Sequence, residues 1–81
     1  MKIPRDAGYE DLINSLKRIG YKISRQSGSH IRLSAEIKGK THNITIPAHN
    51  PIKIGTLNAI LNELSNVLEI PKNELIEKLF H

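Results

Sequence analysis

Cysteine is absent from the 81-residue chain, and so is tryptophan. The first absence excludes a disulfide framework and any thiolate-bound metal. Aromatic residues amount to Tyr9, Tyr21 and Phe80. Tyr9 and Phe80 fall on apolar helical faces, which leaves no row of rings for stacking the bases of single-stranded RNA. No apolar run approaches the ~18 residues of a membrane span. The opening residues, Met1-Lys2-Ile3-Pro4-Arg5-Asp6, lack the apolar core of a secretory signal. A soluble, cytoplasmic protein without a membrane partner is the expectation. Phosphate loops of the G-x-G-x-x-G and G-x-x-x-x-G-K-S/T types are missing. No G-x-S-x-G context exists and no acid is placed to complete a triad, so Ser27 and Ser29 read as turn formers rather than nucleophiles.

Acidic residues are missing from the middle of the chain. Between residues 12 and 62, Lys17, Arg18, Lys22, Arg25, Arg32, Lys38, Lys40 and Lys53 stand against Glu36 alone. The sign reverses afterwards, where Glu63, Glu69, Glu74 and Glu77 face Lys72 and Lys78. A basic zone without interleaved acids points to an anionic partner, with nucleic acid first, and competes with the reading of an ordinary solvated surface. The length fits one small domain, residues 1–81, able to bury about 60–65% of its unfolded surface.

What is present is a clear alternation of element types. Tyr9, Leu12, Ile13, Leu16 and Ile19 recur at helical spacing over residues 9–19. Asp6 or Gly8 is positioned to cap that helix, Lys17 and Arg18 suit its last turn, and Gly20 stops it. Three strands follow, at about 21–26, 30–37 and 41–47, the last two joined through Lys38-Gly39-Lys40. Leu57, Ile60, Leu61, Leu64, Val67 and Leu68 then mark a second helix, which starts between Pro51 and Thr56 and breaks at Pro71. Pro71 opens a short third helix with Leu75, Ile76, Leu79 and Phe80 on its apolar side. The order α-β-β-β-α-α predicts an α+β domain, a three-stranded antiparallel sheet with helices on one face.

Facing residues of antiparallel strands share a side, which constrains register. Keeping apolar residues together sets Ile23 opposite Leu33. That makes Ser27-Gly28-Ser29 a three-residue loop and sets Gln26 opposite His30. Between the second and third strands, Leu33 faces either Ile46, bringing His49 opposite His30, or Ile44, bringing Pro47 there. His42 falls at the far end, near Glu36 or Ala35. The open face would carry Lys22, Ser24, Gln26, His30, Arg32, Ser34 and Thr45.

His30 is the first candidate for chemistry. Imidazole alone titrates unperturbed near neutral pH, and Arg32 projects to the same side, so the pair suits proton transfer beside a phosphate. A surface histidine at a turn is the plain alternative, and from spacing alone it is favoured. His49 is the second candidate, close to His30 in either register. His30, His42 and His49 match no short zinc spacing, so neither metal nor cofactor is expected.

Four segments carry a family likeness: Leu16-Lys17-Arg18-Ile19-Gly20-Tyr21, Arg25-Gln26-Ser27-Gly28-Ser29-His30, Ile44-Thr45-Ile46-Pro47-Ala48-His49, and Ile54-Gly55-Thr56-Leu57 with Ile60-Leu61. In them the chain resembles HicA-type mRNA interferase toxins. The resemblance implies a double-stranded-RNA-binding-domain-like fold, α-β-β-β-α, to which the last helix is an addition. It implies metal-independent endoribonuclease action on mRNA with His30 as the catalytic histidine. Lys22, Arg25, Gln26, Ser29, Arg32 and His49 are the accessory or RNA-binding candidates. A HicB-type antitoxin covering the active site is the implied protein partner. Many members place a second histidine directly after the first; here that place is Ile31, which the alternation puts in the core. A double-stranded-RNA-binding domain proper presents a lysine cluster before its last helix, whereas Pro51-Ile52-Lys53-Ile54-Gly55 offers one. The alternatives are a non-catalytic RNA-binding module of the same fold and a protein-interaction domain whose basic face meets an acidic partner.

Overall fold

The computed structural model describes residues 8–80, with elements in the order α1 (Tyr9–Arg18), β1 (Lys22–Ser27), β2 (His30–Ile37), β3 (Lys40–Pro47), α2 (Ile54–Leu68) and α3 (Lys72–Phe80). Asp6, the other candidate cap, and His81 lie outside the described residues. The strands form one antiparallel sheet in the order β1-β2-β3. This is the α+β, double-stranded-RNA-binding-domain-like arrangement with an added C-terminal helix.

The alternation of β2 sets the sheet's two sides. Ile31, Leu33 and Ala35 are buried, while His30, Arg32 and Glu36 are exposed. Ile44 and Ile46 of β3 join the buried row. Against that row lie Leu12, Ile13 and Leu16 of α1 and Leu57, Ile60, Leu61 and Leu64 of α2. α3 rests on both α1 and α2 and adds Leu75, Ile76 and Leu79 to the same core. Burial of this apolar surface is the main favourable contribution to folding.

Each helix end has a local cause. α1 begins after Gly8, which supplies no side-chain cap. The Tyr9 N–H is instead met by Asn50 Oδ1 at 3.1 Å, from the loop after β3. At the other end, Tyr21 N–H bonds Leu16 O at 3.0 Å and Gly20 N–H bonds Lys17 O at 3.2 Å. Gly20 takes φ +110°, the positive value this termination uses. α2 stops at Leu68, three residues before Pro71: Glu69 turns left-handed at φ +55°, and Ile70 N–H returns to Ser65 O. Ser15, buried on α1, has its hydroxyl 2.5 Å from Leu79 O and 2.9 Å from Asp11 O. It also accepts from Arg18 Nη2 at 3.2 Å, so α3's last turn is fastened to α1 by a satisfied polar group.

Two register findings refine the expectations. Leu33 faces Ile44 and His30 faces Pro47, the second of the two alternatives for β2 and β3. For β1 and β2, Ile23 does face Leu33, but Ser27 rather than Gln26 faces His30. The three-residue loop is absent. The turn is Gly28-Ser29, with Gly28 at φ +58° in the first central position, as a type II′ turn requires. The surplus residue is taken up as a β-bulge at Ser24, between the pairs Ile23–Leu33 and Arg25–Arg32. The β2–β3 turn is likewise two residues, Lys38-Gly39, both at positive φ.

Leu79 is 1% exposed. Leu79→Ala should therefore cost about 2–5 kcal/mol, read as a lower denaturant midpoint. A loss under about 0.5 kcal/mol, the size of an ordinary surface change, would show that α3 is dispensable to the core.

Candidate functional site

The site grows from the β1–β2 turn. Positive φ at Gly28 closes the turn in two residues, so β2 starts at His30 with its imidazole on the open face. The Ser29 carbonyl accepts the Ala48 N–H at 2.7 Å. That bond ties the turn to the exit of β3. Beyond it, His49 N–H folds back to Pro47 O at 2.9 Å. His49 thus lies two residues past Pro47, the cross-strand neighbour of His30, and is exposed. The next residue, Asn50, is held to α1 through Tyr9 N–H. The loop bearing His49 is consequently anchored on both sides.

Along the open face, cross-strand rows follow from the register. Ser27, His30 and Pro47 form one row, and Arg25, Arg32 and Thr45 the next. Lys22, Ser34 and Asn43 form a third, in which Ser34 Oγ donates to Asn43 Oδ1 at 2.5 Å. Glu36, the one acid on this face among the described residues, accepts from Thr41 Oγ1 at 2.6 Å. A shallow depression of about 370 Å³ lies around Lys22, Ser24, Ser34 and Glu36 and stops short of His30. Lys22, Arg25 and Arg32 make no ion pair among the described residues. The electrostatics of the face are those of unneutralised cations beside an imidazole.

Several expected site residues therefore come together: His30, Arg32, Lys22 and, through the bulge, Arg25. Gln26 does not join them. It faces Ile31 on the helix-facing side, because the bulge at Ser24 reverses the sense of the following residues. Ser29 contributes its carbonyl to the turn rather than a strand position. Ser27 takes the place expected for Gln26. Among the described residues, no group of three His, Asp or Glu side chains is placed to hold a metal ion.

A second polar cluster sits on the opposite side of the sheet, where the sequence reading expected nothing. His42 faces Ala35, in the core-side row of Ile44 and Ile46. Its Nδ1 is 2.8 Å from the Tyr21 hydroxyl and its Nε2 is 3.1 Å from Glu63 Oε2 on α2. The Tyr21 and His42 rings meet edge to face with centroids 5.9 Å apart. Burial raises the Tyr21 pKa above its ordinary value, and the Glu63 carboxylate raises it further. The signal was the alternation His42-Ile44-Ile46, which puts His42 on the core side.

A family model described as the HicA toxin of bacterial toxin–antitoxin systems matches residues 9–65. The chain belongs to the HicA toxin family. This HicA-family chain is therefore the toxin member of a toxin–antitoxin pair, and an antitoxin is its implied partner. The match contains His30, Arg25, Arg32 and His49 and ends within α2, so α3 is outside it. No curated protein and no solved structure matches the chain. Among the described residues, no helix of this HicA-family protein is long and apolar enough to cross a membrane.

Two measurements check this geometry. Asn50→Ala removes the acceptor at the start of α1 and should cost about 1 kcal/mol. That lowers the melting temperature by about 4–8 °C for a domain of this size, and an unchanged melting temperature would refute the cap. The raised Tyr21 pKa favours the neutral phenol in the folded state. That contribution is complete below about pH 10 and is lost as pH climbs through the higher folded value. Tyr21→Phe should therefore flatten the alkaline decline in stability, whereas an equally steep decline in the variant would contradict the assignment.

Proposed function

We propose that the chain is a metal-independent endoribonuclease toxin acting on mRNA, with His30 as its general acid/base. The supporting observation is the exposed His30 on a sheet face whose neighbouring rows carry Arg25, Arg32 and Lys22 without carboxylate partners. Membership of a toxin family adds the biological setting. RNA brings its own nucleophile, the 2′-hydroxyl, so the protein has only to move protons and hold a phosphate.

In this reading His30 accepts the 2′-hydroxyl proton as that oxygen attacks the adjacent phosphorus. The P–O5′ bond breaks, and the departing 5′-oxygen takes a proton from water or from His49. One product ends in a 2′,3′-cyclic phosphate and the other in a 5′-hydroxyl. Arg32, with Arg25 and Lys22, offsets the phosphate charge. His49 is an accessory group on its anchored loop. DNA, which lacks the 2′-hydroxyl, is not cleaved. The antitoxin is of the HicB type and covers this face, and both act in the cytoplasm.

A second reading is an RNA-binding module without cleavage. It is favoured by one observation: among the described residues, no hydrogen-bond partner orients the His30 ring. His30→Ala separates the two. The first reading expects cleavage to fall by about 10²–10⁴-fold, with growth arrest lost and RNA affinity kept. Cleavage at the wild-type rate in that variant would overturn the His30 assignment. Salt-sensitive RNA binding by the wild type, with no cleavage at any concentration, would establish the second reading.

A further inference from the structure

The Gly28-Ser29 turn has a chemical result. Counted from it, Ser27 faces His30, Gln26 faces Ile31 and Arg25 faces Arg32, so both arginines lie on the open face, one row from His30. The bulge at Ser24 lets this register coexist with Ile23 opposite Leu33. The bulge is fixed by its own side chain, since Ser24 Oγ donates to Arg32 O at 3.3 Å. Facing side chains in an antiparallel pair have Cβ atoms about 4.5–5.5 Å apart. Two guanidinium groups on such stems reach a common point above the sheet.

This pairing is unfavourable for the folded chain by itself. Like charges placed directly opposite destabilise a sheet, and neither arginine has a carboxylate partner among the described residues. The acid on this face, Glu36, is on the far side of Ser34 from Arg32 and is engaged by Thr41. An arrangement that costs stability and has no carboxylate to offset it calls for an anion between the two groups. Guanidinium suits that task, because its planar fork donates two parallel hydrogen bonds to phosphate oxygens.

We infer that Arg25 and Arg32, paired by the register of the Gly28-Ser29 turn, form one clamp that holds a single phosphodiester of a bound RNA strand one row from His30. The clamp deepens the RNA reading of the face and rests on it. It differs from a diffuse basic surface in requiring both arginines at once.

The test uses a 2′-O-methyl RNA oligonucleotide, which cannot be cleaved, so binding is read independently of catalysis. Arg25→Gln, Arg32→Gln and the double variant are compared with the wild type by fluorescence anisotropy across a chloride series. Each single variant should lose about tenfold or more in affinity, and the double should lose no more than the worse single. The salt dependence should fall by the contribution of one phosphate, about 0.7 in slope for a single strand. In phosphate-free buffer each single variant should melt no lower than the wild type. Additive losses would show two separate contacts, and lower melting temperatures would show a structural pair; either overturns the clamp. A site that saturates with inorganic phosphate alone, while the oligonucleotide gains nothing from the two arginines, also overturns it. RNA binding indifferent to both arginines sinks the clamp alone, whereas absence of any RNA binding sinks the RNA reading with it.

Discussion

The left-handed backbone of Gly28 constrains everything on the open face. A residue with a Cβ resists φ +58°, and only that angle lets β1 and β2 close through two residues. Once the turn is that short and Ile23 faces Leu33, β1 has one residue too many. The sheet absorbs it as a bulge at Ser24. From this follow the positions of Arg25 and Ser27 and the exile of Gln26 to the other side. The same turn fixes the Ser29 carbonyl where Ala48 N–H can reach it. A choice of backbone angle at one glycine thus sets which side chains surround His30.

The helical layer supports this face from behind. β2 contributes an unbroken apolar row of Ile31, Leu33 and Ala35, and the helices cover it. In a domain of this size the core is small, and each buried leucine is a large share of it. α3 lies beyond the stretch that matches the family, yet it supplies three fully or nearly fully buried side chains. Its exposed residues include Glu74 and Glu77, and it packs on α1 and α2. The charge asymmetry of the sequence therefore becomes a cationic sheet face and a last helix in which Lys72 and Lys78 balance Glu74 and Glu77.

Most of this was legible in the residues. The elements, the buried face of β2 and the exposure of His30 and Arg32 follow from periodicity alone. Placement of Pro47 beside His30 was one of two registers the apolar pattern allowed. The β1 register was not legible, because a three-residue loop and a bulged strand place Ile23 against Leu33 equally well. Ser24 carries no mark of a bulge, so the pattern could not choose between them. His42 does face Ala35, one of the two positions expected for it, but its contacts with Tyr21 and Glu63 are not legible for a different reason. A histidine does not count toward an apolar row, although its position before Ile44 and Ile46 put it there. The termination of α2 at Glu69 was hidden because a left-handed glutamate is uncommon, and Pro71 offered a more obvious stop.

The acceptor for the first turn of α1 comes from Asn50, 41 residues further along the chain. Synthesis proceeds from the N-terminus, so α1 exists as a chain segment long before that acceptor has been made. The helix end and the loop beside His30 are completed by the same event, the arrival of residue 50 against Tyr9. Until then the Tyr9 N–H lacks this acceptor and the His49 loop lacks this anchor.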